Sequence, residues 1–340
     1  MSTASAWQAQ LGEVGDHLDL RSVFADVATD LSDVERFLGQ ILDEGPQAVR
    51  DAASHLFKAG GKRLRPALVL FGAEFGQYRY QDVRGVAAAA ELIHMATLVH
   101  DDIIDRADVR RGQPTVHALW GEQAAVLTGD YLFAKAFALL SEAPVAGVVG
   151  VMADVVFRMC SGEIAQNVAA RQNTLPDEGQ YLDRIAAKTA VFIAQSCRAG
   201  AMACRAHAAV QQALYDYGYA MGMGFQIVDD LLDLTAEPKT LGKAIGSDLR
   251  AHVITLPVIH GLQASQRRSE LRTIAQGAEV NGDSVQTVRE ILERAGSFTY
   301  AETLAKNFID QAKASLATLR DLPARASLLA MADFVLERQL

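Results

Sequence analysis

In residues 97–112, TLVHDDIIDRADVRRG, three aspartates (Asp101, Asp102 and Asp105) stand at the foot of an apolar stretch with helical periodicity. A helix C-terminus carries partial negative charge, so carboxylates belong at the other end. Asp101 and Asp105 are four residues apart and Asp102 and Asp105 three apart; like charges at those spacings repel by about 0.2–0.5 kcal/mol per pair. A single D-D-x-x-D is most often a solvated helix end, but here the pattern recurs. DDIID at 101–105 is echoed by DDLLD at 229–233, which closes the apolar YAMGMGFQIV. Six carboxylates converging on one site would have to protonate or bind cations. All-oxygen ligands suit hard divalent ions, and Mg2+ takes one or two carboxylates together with waters and substrate phosphates. The aspartates therefore predict Mg2+, and Mg2+ predicts a phosphorylated substrate.

The basic residues agree. Arg110 and Arg111 follow the first cluster, Lys243 follows the second, Lys188 opens KTAVFIAQS, and GGKRLRP at 60–66 contributes Lys62, Arg63 and Arg65. Arginine forks and lysine point charges are the usual partners of phosphate. No P-loop or G-x-G-x-x-G occurs, which argues against a nucleotide. Ahead of Asp101 lie Leu92, Ile93, Met95, Ala96 and Val99, and ahead of Asp229 lie Met221, Met223, Phe225 and Ile227. A charged mouth on an apolar shaft fits an amphiphile with a diphosphate head and a hydrocarbon tail.

The elements that must carry these residues are helices. Apolar residues recur every three or four positions, as in Leu92, Met95, Ala96 and Val99 or Leu132, Ala136, Leu139 and Leu140, while alternating strand patterns are nearly absent. Breaks fall at Gly60–Gly61, Gly112–Pro114, Asn173–Gly179, Ala236–Gly242 and Asn281–Asp283. That spacing predicts ten or more helices with short connections, in one all-α domain over 1–340 whose first 40 residues form an extension without motifs. The alanine run at 87–90 predicts close helix packing. Half of the 340 residues are hydrophobic, and the net charge of −9 argues against nucleic acid. Cys160, Cys197 and Cys204 form no C-x-x-C pair and read as free thiols of a reducing compartment. The apolar stretch Ala143–Phe157 is too short to span a bilayer and holds Pro144 and Asp154. With no secretory signal evident, the expected location is cytoplasmic, with transient membrane contact still open.

Taken in order, GGKRLRP, ELIHMATLVHDDIIDRADVRRGQPT, GDYL, GEIAQ, KTA, GFQIVDDLLD, LGKAIGSDL and TLP resemble the trans-isoprenyl diphosphate synthases over about Phe57 to Pro257. Among these, the chain is most similar to bacterial long-chain enzymes such as the catalytic subunit of heptaprenyl diphosphate synthase. The resemblance implies a helical bundle of the isoprenoid-synthase type around a deep apolar cavity, working as a homodimer or with a small second subunit. It implies that an allylic diphosphate (farnesyl or geranylgeranyl) ionises and that isopentenyl diphosphate attacks the cation. By position, Asp101, Asp102, Asp105, Asp229, Asp230 and Asp233 would hold several Mg2+ ions and the allylic diphosphate, with Asp101, Asp105 and Asp229 as the direct ligands. Arg110, Lys188 and Lys243 would hold that same diphosphate, and Lys62, Arg65, His94 and Arg111 the isopentenyl diphosphate. Thr189 and Gln226 match positions whose oxygens face the developing cation. After GSDL the family usually places glutamine and glycine, where this chain has Ala251 and His252.

Positions 97 and 96 lie roughly 6–7.5 Å along a helix from Asp101. Short-chain relatives place bulky aromatics there; Ala96 and Thr97 leave the shaft open, which predicts a product of hexaprenyl to decaprenyl length. The floor would then lie deeper, at Ile93, at Leu132, Phe133 or Phe137, or on a partner subunit. A short-chain farnesyl or geranylgeranyl diphosphate synthase is the alternative. Two other readings fare worse. A terpene cyclase needs N/D-x-x-S/T-x-x-x-E in place of DDLLD, and a di-iron bundle needs a second E-x-x-H beside the one ending at His94.

Overall fold

The computed structural model describes residues 23–110, 112–171, 174–235, 245–277 and 280–337. Arg111 and Lys243, both expected at the substrate, lie outside these residues, as does most of the motif-free N-terminal extension. The regular structure of the described residues is helical apart from one ribbon of two two-residue strands. In order come α1 (Ala28–Leu42), α2 (Gln47–Lys58), α3 (Leu64–Ala73) and α4 (Tyr80–Ile104). The ribbon β1 (Val109–Arg110) and β2 (Gln113–Pro114) follows, then α5 (Val116–Trp120), α6 (Glu122–Ser141) and α7 (Gly147–Arg171). Next are α8 (Glu178–Ile185), a π-helical turn (Ala186–Ala190), α9 (Val191–Ala203) and α10 (Ala208–Thr235). The C-terminal part holds α11 (Ser247–Arg250), α12 (Leu256–Ala264), α13 (Arg268–Ala275), α14 (Gly282–Arg294), α15 (Ser297–Ser315) and α16 (Pro323–Glu337).

Contacts divide the chain into two compact units. The first comprises Met1–Asp154, Gln195–Tyr215 and Thr318–Leu328, and the second Val155–Ala194, Asp216–Ala317 and Leu329–Leu340. Four of these boundaries fall inside α7, α9, α10 and α16 and not in linkers.

In the first unit α4 is the central element. Ala87 to Ala90 and Leu92, Ile93 and Ala96 are sealed from solvent, so this helix is apolar nearly all round, as a core helix must be. The alanines keep neighbouring helices near. The partner α6 buries Ala125, Thr128, Gly129, Leu132, Ala136 and Leu140 on one face, at the three- and four-residue spacing of a helix. Its opposite face leaves Val126 and Leu127 exposed. This 20-residue helix, with mean hydropathy 1.3 over its best window, is long and apolar enough to cross a membrane by length and composition alone. The stretch Ala143–Phe157 singled out from sequence instead straddles a turn and the start of α7. In the second unit α12 buries Leu256, Pro257, Val258, Ile259 and Gly261 and packs against α15, α13 and α14. All three cysteines are free, and burial pushes the Cys197 thiol up, out of reach of ionisation at neutral pH.

The α4–α6 packing depends on one missing side chain. The His100 imidazole, one residue before the aspartates, lies on Gly129 where a Cβ would be, and its Nε2–H donates to the Val126 carbonyl at 3.1 Å. Phe133 closes the other side at 5.8 Å between ring centroids. GDYL and HDDIID are therefore one packing unit. Gly129→Ala would have to expel the ring and should cost about 1–3 kcal/mol, the range for overpacked cores. Chemical denaturation of wild type and variant measures this.

Candidate active site

Residues of the first unit are set by a buried ion pair. Between α2 and α3 the chain turns with Gly60 at φ 81° and Arg63 at φ 49°, which drives the Arg63 side chain inward. Arg63 is buried, and its Nη1 donates to Glu91 Oε1 at 2.9 Å, its Nε to Glu35 at 3.4 Å and its Nη2 to the Phe57 carbonyl at 3.3 Å. The guanidinium also lies over the Phe57 ring, 4.6 Å from its centroid. Arg63 thus pins GGKRLRP to the first residue of ELIH, leaving Lys62 exposed and Arg65 half-buried on either side. Sequence placed Arg63 among the phosphate candidates; its burial assigns it to the scaffold instead. His94 is half-buried three residues beyond Glu91.

At the end of α4 the three aspartates part company. Asp102 is buried, Asp101 half-buried, and Asp105 is an exposed C-cap whose N–H bonds the Asp101 carbonyl at 2.8 Å. The β1–β2 ribbon folds back so that Arg110 Nε donates to Asp102 Oδ1 at 2.6 Å. Burial raises the Asp102 pKa and the Arg110 hydrogen bond opposes that rise. Asp102 and Arg110, both expected at the substrate, are partners of one another. Ile93 and Ala96 are fully buried, and the Thr97 hydroxyl donates to the His94 carbonyl at 2.8 Å. That internal bond leaves Thr97 with an apolar outer surface.

Residues of the second unit gather around the π-turn, a distortion that favours functional sites. It carries Lys188 and Thr189. Lys188 Nζ meets Glu163 Oε2 of GEIAQ at 3.2 Å. On α10, Gly222 packs directly on Ala190, where no Cβ would fit, and Gln226 follows one turn later. Thr189 Oγ1 donates to Gln226 Oε1, Gln226 Nε2 to Asp230 Oδ1 and the Tyr181 hydroxyl to Asp230 Oδ2, each at 2.8 Å. Asp230 is buried, which pushes its pKa up to about 6 against the two hydrogen bonds it accepts. Asp233 is also buried and accepts the N–H groups of Ser247 and Asp248 at 3.1 Å, together with the Ser247 hydroxyl. GSDL is thus a cap on the second aspartate cluster. Asp229 alone of the three is exposed. At His252 the backbone is left-handed, with φ 57°, a conformation that glycine adopts without steric cost and histidine tolerates.

Helix geometry corrects one expectation. Met221, Met223, Phe225 and Ile227 are spaced by two, so consecutive members point about 200° apart and the four cannot line one wall. The correspondence between the clusters is also partial, since one aspartate is buried in the first and two in the second. Among the described residues no group of three or more His, Cys, Asp and Glu side chains forms a ready metal cage. Within the first unit the half-buried Asp101 and exposed Asp105, and within the second the exposed Asp229, are each of the kind that suits an ion taking few protein ligands and many from water and phosphate. Sequence reasoning missed Tyr181, Glu163 and Glu91 as partners of site residues. The signals for Glu163 and Glu91 were the short motifs around them, GEIAQ and ELIH; Tyr181 lies in neither.

A family model described as polyprenyl synthetase matches residues 46–293. Heptaprenyl diphosphate synthase component 2 of Geobacillus stearothermophilus is 39% identical over 295 residues, 87% of this chain and 91% of that one. Geranylgeranyl diphosphate synthase of Methanosarcina mazei is 37% identical over 300 residues, 86% of this chain and 91% of its own. Among solved structures, the polyprenyl synthase of Caulobacter crescentus CB15, complexed with calcium and isoprenyl diphosphate, matches with TM-score 0.88 and 32% identity over 97% of this chain and 100% of that chain.

Arg63→Met strands Glu91 as a buried charge and should cost about 3–5 kcal/mol. Lys62→Met, at an exposed position next to it, should stay within about 0.5 kcal/mol of wild type. Urea titration of the two variants compares them directly.

Proposed function

This chain belongs to the polyprenyl synthetase family and is a prenyltransferase, and we propose that it condenses isopentenyl diphosphate with farnesyl or geranylgeranyl diphosphate to a long-chain all-trans polyprenyl diphosphate, hexaprenyl to decaprenyl. The observation that carries this reading is the way each aspartate cluster is divided: Asp102, Asp230 and Asp233 are tied to protein donors, while Asp105 and Asp229 are exposed.

Asp101, Asp105 and Asp229 would hold Mg2+, which when bound supplies positive charge that stabilises the departing diphosphate. Lys188, Lys243 and Arg110 hold the allylic diphosphate, with Lys188 exchanging its Glu163 partner for phosphate oxygen. Lys62, Arg65, His94 and Arg111 hold the isopentenyl diphosphate. Thr189 and Gln226 turn oxygens toward the allylic cation, and buried apolar side chains keep water from it.

Product length rests on α4. The relatives include heptaprenyl and geranylgeranyl synthases at nearly equal identity, so overall similarity does not set length. Small Ala96 and the internally bonded Thr97 support an open shaft, with Ile93 deeper.

The chain works in the cytoplasm as a homodimer. Support for assembly comes from apolar residues on the outer face of α6, Val126 and Leu127, and from Phe157, Ile164 and Val168 on one face of α7. A small partner subunit is the second reading, favoured by the name of the Geobacillus relative, component 2.

Purified protein given Mg2+, labelled isopentenyl diphosphate and farnesyl diphosphate should yield a ladder ending at one chain of 30 to 50 carbons, roughly six to ten isoprene units, sized by mass spectrometry. Chelation should abolish it. Asp101→Ala and Asp229→Ala should each lower kcat by about a hundredfold or more with the fold intact; near-normal turnover in both would defeat the mechanism. Ala96→Phe should shorten the product, and an unchanged ladder would remove the account of length.

A further inference from the structure

Within the second unit four side chains form one continuous hydrogen-bonded line, Tyr181–Asp230–Gln226–Thr189. Of these, only Gln226 and Thr189 carry a role in the reaction proposed above. Tyr181 sits on α8, fully buried, and its phenol stays protonated because burial and the Asp230 charge both oppose ionisation. It can therefore only donate to Asp230.

The proton count along this line leaves one arrangement. Asp230 Oδ2 is engaged by Tyr181 and Oδ1 by Gln226, so both carboxylate oxygens are held and the carboxylate plane cannot rotate. A carboxylate accepts and does not donate, so Gln226 must present its NH2 group to it. Rotating the amide by half a turn would set oxygen against oxygen. With NH2 fixed on one side, Gln226 Oε1 lies on the Thr189 side and accepts that residue's single hydroxyl hydrogen. The outcome is a pair of neighbouring oxygens, Gln226 Oε1 and Thr189 Oγ1, with the only hydrogen between them already used. Their remaining lone pairs form a locally negative surface. The ionic charge of Asp230 polarises the amide further in the same direction. Thr189 is buried and Gln226 half-buried, so water competes little for these lone pairs.

We propose that Tyr181 is a positioning residue for prenyl transfer: acting through Asp230, it locks the Gln226 amide so that Gln226 Oε1 and Thr189 Oγ1 face the carbocation as paired acceptors. This rests on the prenyltransferase reading above. In the ionisation it serves, the C1–O bond of the allylic diphosphate breaks, the electron pair leaves with diphosphate, and the allyl carbons keep the positive charge. Preorganised oxygens gain interaction energy only as that charge develops, so their loss should appear in kcat more than in KM. Tyr181 also fills space, and phenylalanine fills the same space, so Tyr181→Phe removes the hydroxyl and little else.

The test is a double-mutant cycle with steady-state kinetics on farnesyl and 2-fluorofarnesyl diphosphates. Tyr181→Phe should lower kcat about ten- to a hundredfold, with KM for both diphosphates within about twofold of wild type. Fluorine next to the reacting carbon withdraws electrons, so the rate ratio between the two substrates reports on cation support; it should rise at least about threefold in the variant. Gln226→Met should show the same pattern, and Tyr181→Phe/Gln226→Met should be no slower than Gln226→Met alone, because the two residues act in series. Additive losses, or a Tyr181→Phe kcat within about twofold of wild type, would overturn the inference. If Tyr181→Phe does not fold, Gln226→Met and Thr189→Val still decide: either one with wild-type kcat and fluorine ratio overturns it. Wild-type protein without turnover, alone or with a small partner subunit, would instead overturn the proposed function on which this inference stands.

Discussion

Too much negative charge at helix ends is the constraint from which the rest of this structure follows. DDIID and DDLLD put six carboxylates at the C-terminal ends of α4 and α10, where peptide dipoles already add negative charge. Three of the six are buried, and a buried carboxylate without a donor costs far more than any helix could return. Each buried one is therefore met by a separate piece of chain. The β1–β2 ribbon exists to return Arg110 to Asp102. The start of α11 delivers two backbone N–H groups to Asp233, and α8 delivers Tyr181 to Asp230. Of the other three, Asp101 is half-buried and Asp105 and Asp229 are exposed.

Within each unit the charged side chains of the motifs accordingly fall into two groups by burial. Arg63, Glu91, Asp102, Asp230 and Asp233 are enclosed and matched inside the protein. Lys62, Asp105 and Asp229 are exposed. Lys188 stands between, paired with Glu163 but two-fifths exposed, at 41%. An ion pair at that exposure is weak, so a diphosphate can displace the carboxylate at small cost. Enclosed pairs hold the helices in place, and the exposed charges remain open to solvent.

Close packing of helices serves the same end. His100 occupies the space of a Gly129 side chain, and Ala190 that of a Gly222 side chain. Both contacts lie within a residue or two of a functional group. They bring each motif-bearing helix to a fixed depth against its neighbour, which is how side chains far apart in the chain acquire positions good to fractions of an ångström.

The all-α class, the breaks at Gly60–Gly61 and Asn281, the core alanines at 87–90 and the aspartate-rich helix ends were legible in the amino-acid sequence, because periodicity, turn residues and charge spacing are local properties. Motif order also carried the family. The sequence could not say which member of each aspartate cluster turns inward, since Asp101 and Asp102, or Asp229 and Asp230, differ locally only by about 100° of helix rotation. Nor could it separate Arg63 from Lys62 and Arg65, or join Tyr181 to Asp230 across 49 residues of chain. Those choices depend on which surfaces meet, and burial is a property of the assembled helices; only the tertiary structure decides it.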